Sequence, residues 1–189
     1  LVDSIYARMT QRPEPRAAAI EGLPGTGVGL VLNHISSNLM AGLMETLARE
    51  PYNGRADLPV LAETLQLEAD ELFVLAETLQ LLRFAQVSEG DIVLAEPGRR
   101  FAELGTDARK KLFADHLITY VPVIGLIRRV LDERPSHTAP AARFRNELED
   151  YMSEDYADET LKTIVSWGRY AELFAYNEQS ELFSLENPH

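Results

Sequence analysis

Four histidines, His34, His116, His137 and His189, and the acidic run Glu147, Glu149, Asp150, Glu154, Asp155, Asp158 and Glu159 are the side chains here with chemistry suited to metal binding or proton transfer. A metal site needs several ligands converging on one point, and none of these histidines has a His, Asp or Glu at a spacing that would make one. His116 follows Asp115, but adjacent residues on a helix point in different directions and do not form a ready ligand pair. The acidic run lacks the alternating ligand positions and central glycine of a calcium loop and reads as a solvated face. Ser36, Ser37 and Ser166 lie in helical text without a nucleophile elbow. The sequence has no Cys, which removes a thiolate nucleophile and a zinc-thiolate site. The expectation is a segment without catalytic residues, metal or cofactor.

Two groups of residues point to binding instead. Gly22 to Gly29 (GLPGTGVG) places four glycines in eight residues. No Lys-Ser or Lys-Thr follows, and the spacing fits neither the Walker pattern nor a dinucleotide fingerprint between strand and helix. It reads either as a turn into the next helix or, through Gly25, Thr26, Gly27 and Gly29, as backbone amides that cradle a small anion at a helix N-terminus. Trp167, Tyr170, Phe174 and Tyr176 cluster near the end of the chain, where they serve either the core or a partner-binding patch.

The length of 189 residues allows one sizeable domain or two small ones. A formal net charge of -12 opposes a polyanionic partner, because nucleic-acid affinity comes largely from Lys and Arg at phosphates. The cysteine-free composition suits a reducing compartment, with cytoplasm as the expected location. The most apolar stretch, Leu117 to Leu131, contains Pro122 and Arg128-Arg129 and falls short of the roughly 20 apolar residues that span a bilayer.

The elements that position these residues follow from periodicity. Asp57 to Glu96 predicts two short helices, a bend near Glu68 and Ala69, and a β-hairpin around Ser88-Glu89-Gly90-Asp91. Asp57 is placed to cap the first helix, with Pro59 in its first turn. The second helix would be the DNA-reading one of a winged helix. It has no Lys or Arg before Arg83 and carries Glu71 and Glu77, which makes it a candidate protein-contact surface. A long helix is predicted over Leu30 to Arg49, with Leu32, Ile35, Leu39, Leu43 and Leu47 on one side. After the short helix at Arg99 to Leu104, a helix capped at Thr106 should kink or split at Pro122 and Gly125. Its apolar residues, spread round the circumference over Leu112 to Leu131, suit either a dimer surface or burial within the chain. Pro135 to Pro140 reads as a loop, followed by helices at Ala141 to Met152 and Asp155 to Trp167 and a hairpin around Asn177 to Ser180.

The same element order thus occurs twice, and Arg83-Phe84-Ala85 and Arg169-Tyr170-Ala171 both mark a step from helix to wing. The predicted fold is mainly α with small β-hairpins (α+β), in tandem winged-helix-like units: residues 1–16 the exit of a preceding domain and its linker, 17–105 the first unit, 106–189 the second. The abrupt start, without Met, suggests a chain cut from something longer.

The text of Glu21 to Gly42 (EGLPGTGVGLVLNHISSNLMAG), Asp57 to Val87 and Gly98 to Pro122 resembles the AAA-associated C-terminal family, found behind the ATPase domain in ATP-binding subunits of ABC transporters of the nitrate, sulfonate and bicarbonate import class. Leu1 to Pro13 (LVDSIYARMTQRP) is similar to the end of such an ATPase domain. The phosphate loop, signature sequence and Walker aspartate of the motor do not occur, so no catalytic residue carries over. The resemblance implies a cytoplasmic, non-catalytic regulatory or interaction domain, peripheral to the inner membrane through the transporter. ATP and Mg would belong to the preceding ATPase domain. Its expected partners are that domain, the transporter's membrane subunits and a second copy of the subunit. A winged-helix DNA-binding regulator, using Arg99-Arg100, Arg109-Lys110-Lys111, Arg128-Arg129 and Arg143-Arg145 as a basic face, is the alternative, and a small-anion sensor is a second one.

Overall fold

The computed structural model describes residues 32–185. In chain order the elements are α1 (Ser37–Ala48), β1 (Arg55–Asp57), α2 (Leu58–Leu65), α3 (Ala69–Leu81), β2 (Ala85–Ser88), β3 (Asp91–Leu94), α4 (Glu96–Glu103), α5 (Thr106–Tyr120), α6 (Pro122–Glu133), β4 (Thr138–Pro140), α7 (Ala141–Glu149), α8 (Glu154–Tyr170), β5 (Ala175–Asn177) and β6 (Leu182–Ser184). The chain is mainly helical with two small antiparallel sheets, as its periodicity predicts.

Local chemistry sets the boundaries. Asp57 accepts a hydrogen bond from the Val60 amide at 3.0 Å, with Pro59 in the first turn of α2. Ser153 does the same for the Tyr156 amide at the start of α8. The chain breaks between α5 and α6 at Val121 because Pro122 has no N–H to continue the helix. The split accounts for the apolar circumference of Leu112 to Leu131: α5 and α6 are separate helices, and Leu117, Val121, Val123, Ile124, Ile127 and Leu131 are all buried within the chain, with Ile118 left exposed.

The predicted helix from Leu30 starts only at Ser37. Ser36 caps it, its hydroxyl accepting from the Leu39 amide at 3.1 Å. The residues before it form a non-helical strap held by α8. The Leu32 amide donates to Thr160 Oγ1 at 3.2 Å, and Trp167 Nε1 donates to the Ile35 carbonyl at 2.7 Å. Side chains of α8 therefore take up backbone groups that a longer helix would have used.

Two strands lie where the sequence predicts none. β1 and β4, the latter inside the predicted loop Pro135 to Pro140, each pair with the last strand of a hairpin, giving sheet orders β1-β3-β2 and β4-β6-β5. Pro140 is tolerated because β4 is an edge strand.

The order helix, strand, helix, helix, strand, strand runs once through α1 to β3 and again through α6 to β6. The repetition extends to single hydrogen bonds. The Leu94 amide donates to the Gly54 carbonyl and the Leu185 amide to the His137 carbonyl, while Leu58 donates to Gly90 and Ala141 to Glu181. Gly54, His137, Gly90 and Glu181 all have positive φ, so the turns are alike even where glycine is absent. The sequence match Arg83-Phe84-Ala85 with Arg169-Tyr170-Ala171 is out of register with this repeat. Arg83 is the left-handed residue after α3, and its counterpart is Glu172, also left-handed; Arg169 and Tyr170 still lie within the last turn of α8.

One aromatic string joins the two halves. The Phe113 ring of α5 lies 6.1 Å from Phe84 and 6.5 Å from Phe101 on one side, and 6.3 Å from Trp167 and 5.3 Å from Tyr170 on the other. Truncating a buried Phe usually costs about 3–5 kcal/mol, from lost transfer energy and the cavity left behind. Phe113→Ala is expected to destabilise by about that amount in urea unfolding and Phe113→Leu by clearly less; equal, small effects would mean that the seam is not packed as described.

Candidate interaction surface

The exposed face of α3 is acidic and apolar together. Asp70 and Glu71 stand in its first turn, where negative charge offsets the positive end of the helix dipole. Residues three and four apart share a face, so Asp70, Phe73, Val74 and Glu77 run along one side. Phe73 is 44% exposed, and so is Leu39 at the start of α1. Leu39 lines a groove with Ile35 of the strap, Leu67, Val74 and Leu75, with Asp70, Glu71 and His34 at its edges; Phe73 lies outside it. Glu77 is half-buried, and removal from water pushes its carboxyl above the usual range.

The predicted site residues divide. Glu71 is exposed and Glu77 half-exposed on α3. Trp167 is fully buried, its ring in the aromatic string and its N–H on the Ile35 carbonyl, so it offers no contact surface. Phe174 is also core: it packs against Phe183, with centroids 5.0 Å apart, and fills the notch left by Gly168, where any Cβ would land inside its ring. Tyr170 and Tyr176 are half-buried, and for both burial raises the phenol above its usual pKa. Tyr170 faces the Phe113 seam; Tyr176 lies 4.7 Å from Phe183 and lines a second groove, along α8. Gly25, Thr26, Gly27, Gly29 and His189 lie outside the described residues. Leu39 and Phe73 are exposed large apolar residues that the sequence pattern does not single out. Leu39 is on a predicted buried side that shifts when the helix starts at Ser37. Phe73 stands outside the Leu72, Val74, Leu75, Leu79 and Leu82 stripe, and a large aromatic out of stripe was the available signal.

The cationic side chains have work inside the fold. Arg109 bonds the carbonyls of Phe101 and Ala102 at 2.8 Å and pairs with Glu45 at 2.6 Å. Lys110 meets Glu172 at 3.0 Å, and Arg143 meets Glu147 at 2.8 Å. Arg145 pairs with Asp158 at 3.1 Å and reaches Glu181 at 3.6 Å, while Arg169 pairs with Glu178 at 3.1 Å, so the charges of the α8 groove are matched within it. Arg128 donates to the Leu173 carbonyl at 3.1 Å. His116 Nδ1 faces the Leu82 carbonyl at 2.7 Å with its ring stacked 4.3 Å from Phe84, and His137 Nδ1 faces the Leu131 carbonyl at 2.9 Å, so both are packing residues. Among the described residues no three His, Asp or Glu are grouped to hold a metal.

A family model for the C-terminal AAA-associated domain matches residues 59–177, from the first turn of α2 to the end of β5. The chain belongs to that family. The match takes in most of both repeats and marks this AAA-associated domain as an accessory, C-terminal domain associated with AAA ATPases. No curated protein and no solved structure matches the chain. No described helix of the AAA-associated domain is long and apolar enough to cross a membrane.

The position of Glu77 on this surface has a pH signature. A carboxyl whose folded pKa exceeds its unfolded one holds its proton more readily in the fold. Below the unfolded value both states are protonated and nothing is lost; as pH rises through the folded value, the charged form takes stability away. Glu77→Gln is therefore expected to raise Tm at pH 7 and to lose that advantage below about pH 4. Thermal unfolding at the two pH values reads this, and an equal shift at both would refute it.

Proposed function

We propose that this domain is a non-catalytic regulatory and interaction domain at the C-terminus of an ABC transporter ATP-binding subunit of the nitrate, sulfonate and bicarbonate import class. Both repeats are read as winged helices, α3 and α8 being their third helices. The domain touches the ATPase domain of its own chain and the membrane subunits, works in a paired subunit, and resides in the cytoplasm at the inner membrane through those partners. ATP and Mg serve the motor domain only.

The observation that carries the reading is the face of α3. In a DNA-binding winged helix that position would present Arg and Lys to the phosphates and bases. Here it presents Asp70, Glu71 and Glu77 beside an exposed Phe73. The arginines and lysines that would form a basic face elsewhere are largely turned to carboxylates and carbonyls of the fold, as at Arg109, Arg143 and Arg145. The corresponding helix α8 is covered by the strap and core along Thr160, Thr163, Ile164 and Trp167. Family membership and the similarity of Leu1 to Pro13 to an ATPase exit support the attachment to a motor.

In the full-length subunit assembled with its membrane partners, removing this domain is expected to leave ATP binding intact and to change transport-coupled ATP hydrolysis several-fold, while the isolated chain hydrolyses no ATP. Unchanged coupled hydrolysis and transport, or salt-sensitive binding of duplex DNA at micromolar protein, would overturn the reading.

A further inference from the structure

We propose that the groove along α8 is a binding site for a small organic anion, an oxyanion head such as a carboxylate or sulfonate on an apolar body. The inference goes beyond the interaction reading and does not depend on it. The groove lies between α8, the β5–β6 hairpin and Arg145 of α7, and its volume of about 640 Å³ is within the range of small-molecule sites. Leu161 and Val165, both buried, give it an apolar floor. Asp158, Lys162, Ser166 and Arg169 follow one another at intervals of three and four residues along the same side of α8.

In sum the Lys, Arg, Asp and Glu charges of the groove cancel, but their pairing does not use them all. Arg145 holds Asp158 at 3.1 Å and Glu181 at 3.6 Å, and Arg169 holds Glu178 at 3.1 Å. The three carboxylates are thereby engaged, and Lys162 is left without a carboxylate partner among the described residues. On the same walls the hydroxyls of Ser166 and Tyr176 have no hydrogen-bond partner among the described residues, although the Tyr176 carbonyl accepts from Arg169. An ammonium and two hydroxyls can all donate to an oxyanion, and the bonds to a charged acceptor are the stronger kind. The engaged carboxylates at the rim oppose a polyanion, which selects a compact ligand.

The first repeat shows that the fold does not need these donors. Its Gln80 side chain accepts from the Val87 amide at 2.7 Å where Arg169 donates to the Tyr176 carbonyl, and the left-handed residues Arg83 and Glu172 fix the same alignment. Lys162, Ser166 and Tyr176 therefore stand where the first repeat has Phe73, Glu77 and Val87. One scaffold is built both ways. The aromatic ring and carboxylate of α3 give way on α8 to a cation and a hydroxyl, which reverses the sign of the same surface.

The test titrates the whole chain with benzoate, benzenesulfonate and benzylamine, following backbone amide NMR shifts and heats of binding. At least one of the two anions is expected to bind, with shifts centred on Lys162, Ser166 and Tyr176, and benzylamine to bind at least about tenfold more weakly. The better of the two anions identifies the head group. Lys162→Phe with Ser166→Glu gives α8 the residues of the first repeat and should weaken anion binding at least about tenfold, and Lys162→Gln alone should weaken it several-fold. Lys111→Glu makes the same change in net charge at an exposed position of α5 and should leave binding unaltered. Circular dichroism melts confirm that the variants fold. Binding of neither anion, equal binding of benzylamine, shifts that leave α8 untouched, or equal loss with Lys111→Glu would overturn the proposal. Coupled ATP hydrolysis does not enter these measurements, so their failure would leave the regulatory reading standing.

Discussion

The contact on which the molecule depends is the aromatic seam at Phe113. Its ring is shared between Phe84 of the first repeat and Phe101 of α4, which follows that repeat, on one side, and Trp167 and Tyr170 in the last turn of α8 on the other. Edge-to-face and offset pairs of this kind add to the area they bury because ring edges and faces carry opposite partial charge. The seam also carries a polar fixture: the buried indole N–H must find an acceptor, and it finds the Ile35 carbonyl. One side chain therefore both joins the repeats and pins the strap that forms one wall of the α3 groove. Arg109 works beside it, bonding the last carbonyls of α4 and reaching Glu45 on α1, with its guanidinium 5.1 Å from the Phe101 ring centre.

The repeat shows which constraints are carried by backbone geometry and which by side-chain identity. Gly54 and His137 occupy equivalent turns with positive φ and accept equivalent strand hydrogen bonds, although one has no side chain and the other an imidazole bonded toward the Leu131 carbonyl. Ile92 and Phe183 are the equivalent fully buried residues of the two central strands. Core volume is filled differently in the two repeats while the ladder is kept, which is the tolerance expected when hydrophobicity and total volume matter more than a particular residue.

This pattern explains what could be read in advance. Helices and hairpins were legible because they span several periods and carry their own caps, as at Asp57, Pro59 and Pro122. β1 and β4 were not, since three residues contain no usable period and their pairing is decided by a distant strand. The start of α1 was misplaced because Leu32 and Ile35 keep a helical spacing while their backbone is claimed by Thr160 and Trp167, far along the chain. At the surface, Glu71 and Glu77 were legible as an acidic helix face. Trp167 and Phe174 belong to the core for reasons that only packing supplies: an acceptor 132 residues away for one and the open notch at Gly168 for the other. The exposure of Leu39 and Phe73 became visible only once the packing of α1 and α3 against the core was known.

An acidic protein need not be uniformly repulsive to anions or uniformly open to cations; where the charge stands decides. Here Arg145 and Arg169 are neutralised within the α8 groove by Asp158, Glu181 and Glu178, leaving that surface locally balanced. The α3 face is different, because Asp70 and Glu71 border apolar side chains and Glu77 is partly withdrawn from water on the same helix. Partial desolvation strengthens any charge it meets, since the effective dielectric falls between bulk water and the interior. The same burial that makes Glu77 a small liability to the isolated domain would make its charge count for more in any contact formed there. A surface that covered Glu77 with apolar groups would leave its carboxylate buried and unpaired, whereas one that brought a cation there would relieve it, so selectivity on this face would come as much from rejecting the wrong contact as from attraction to the right one.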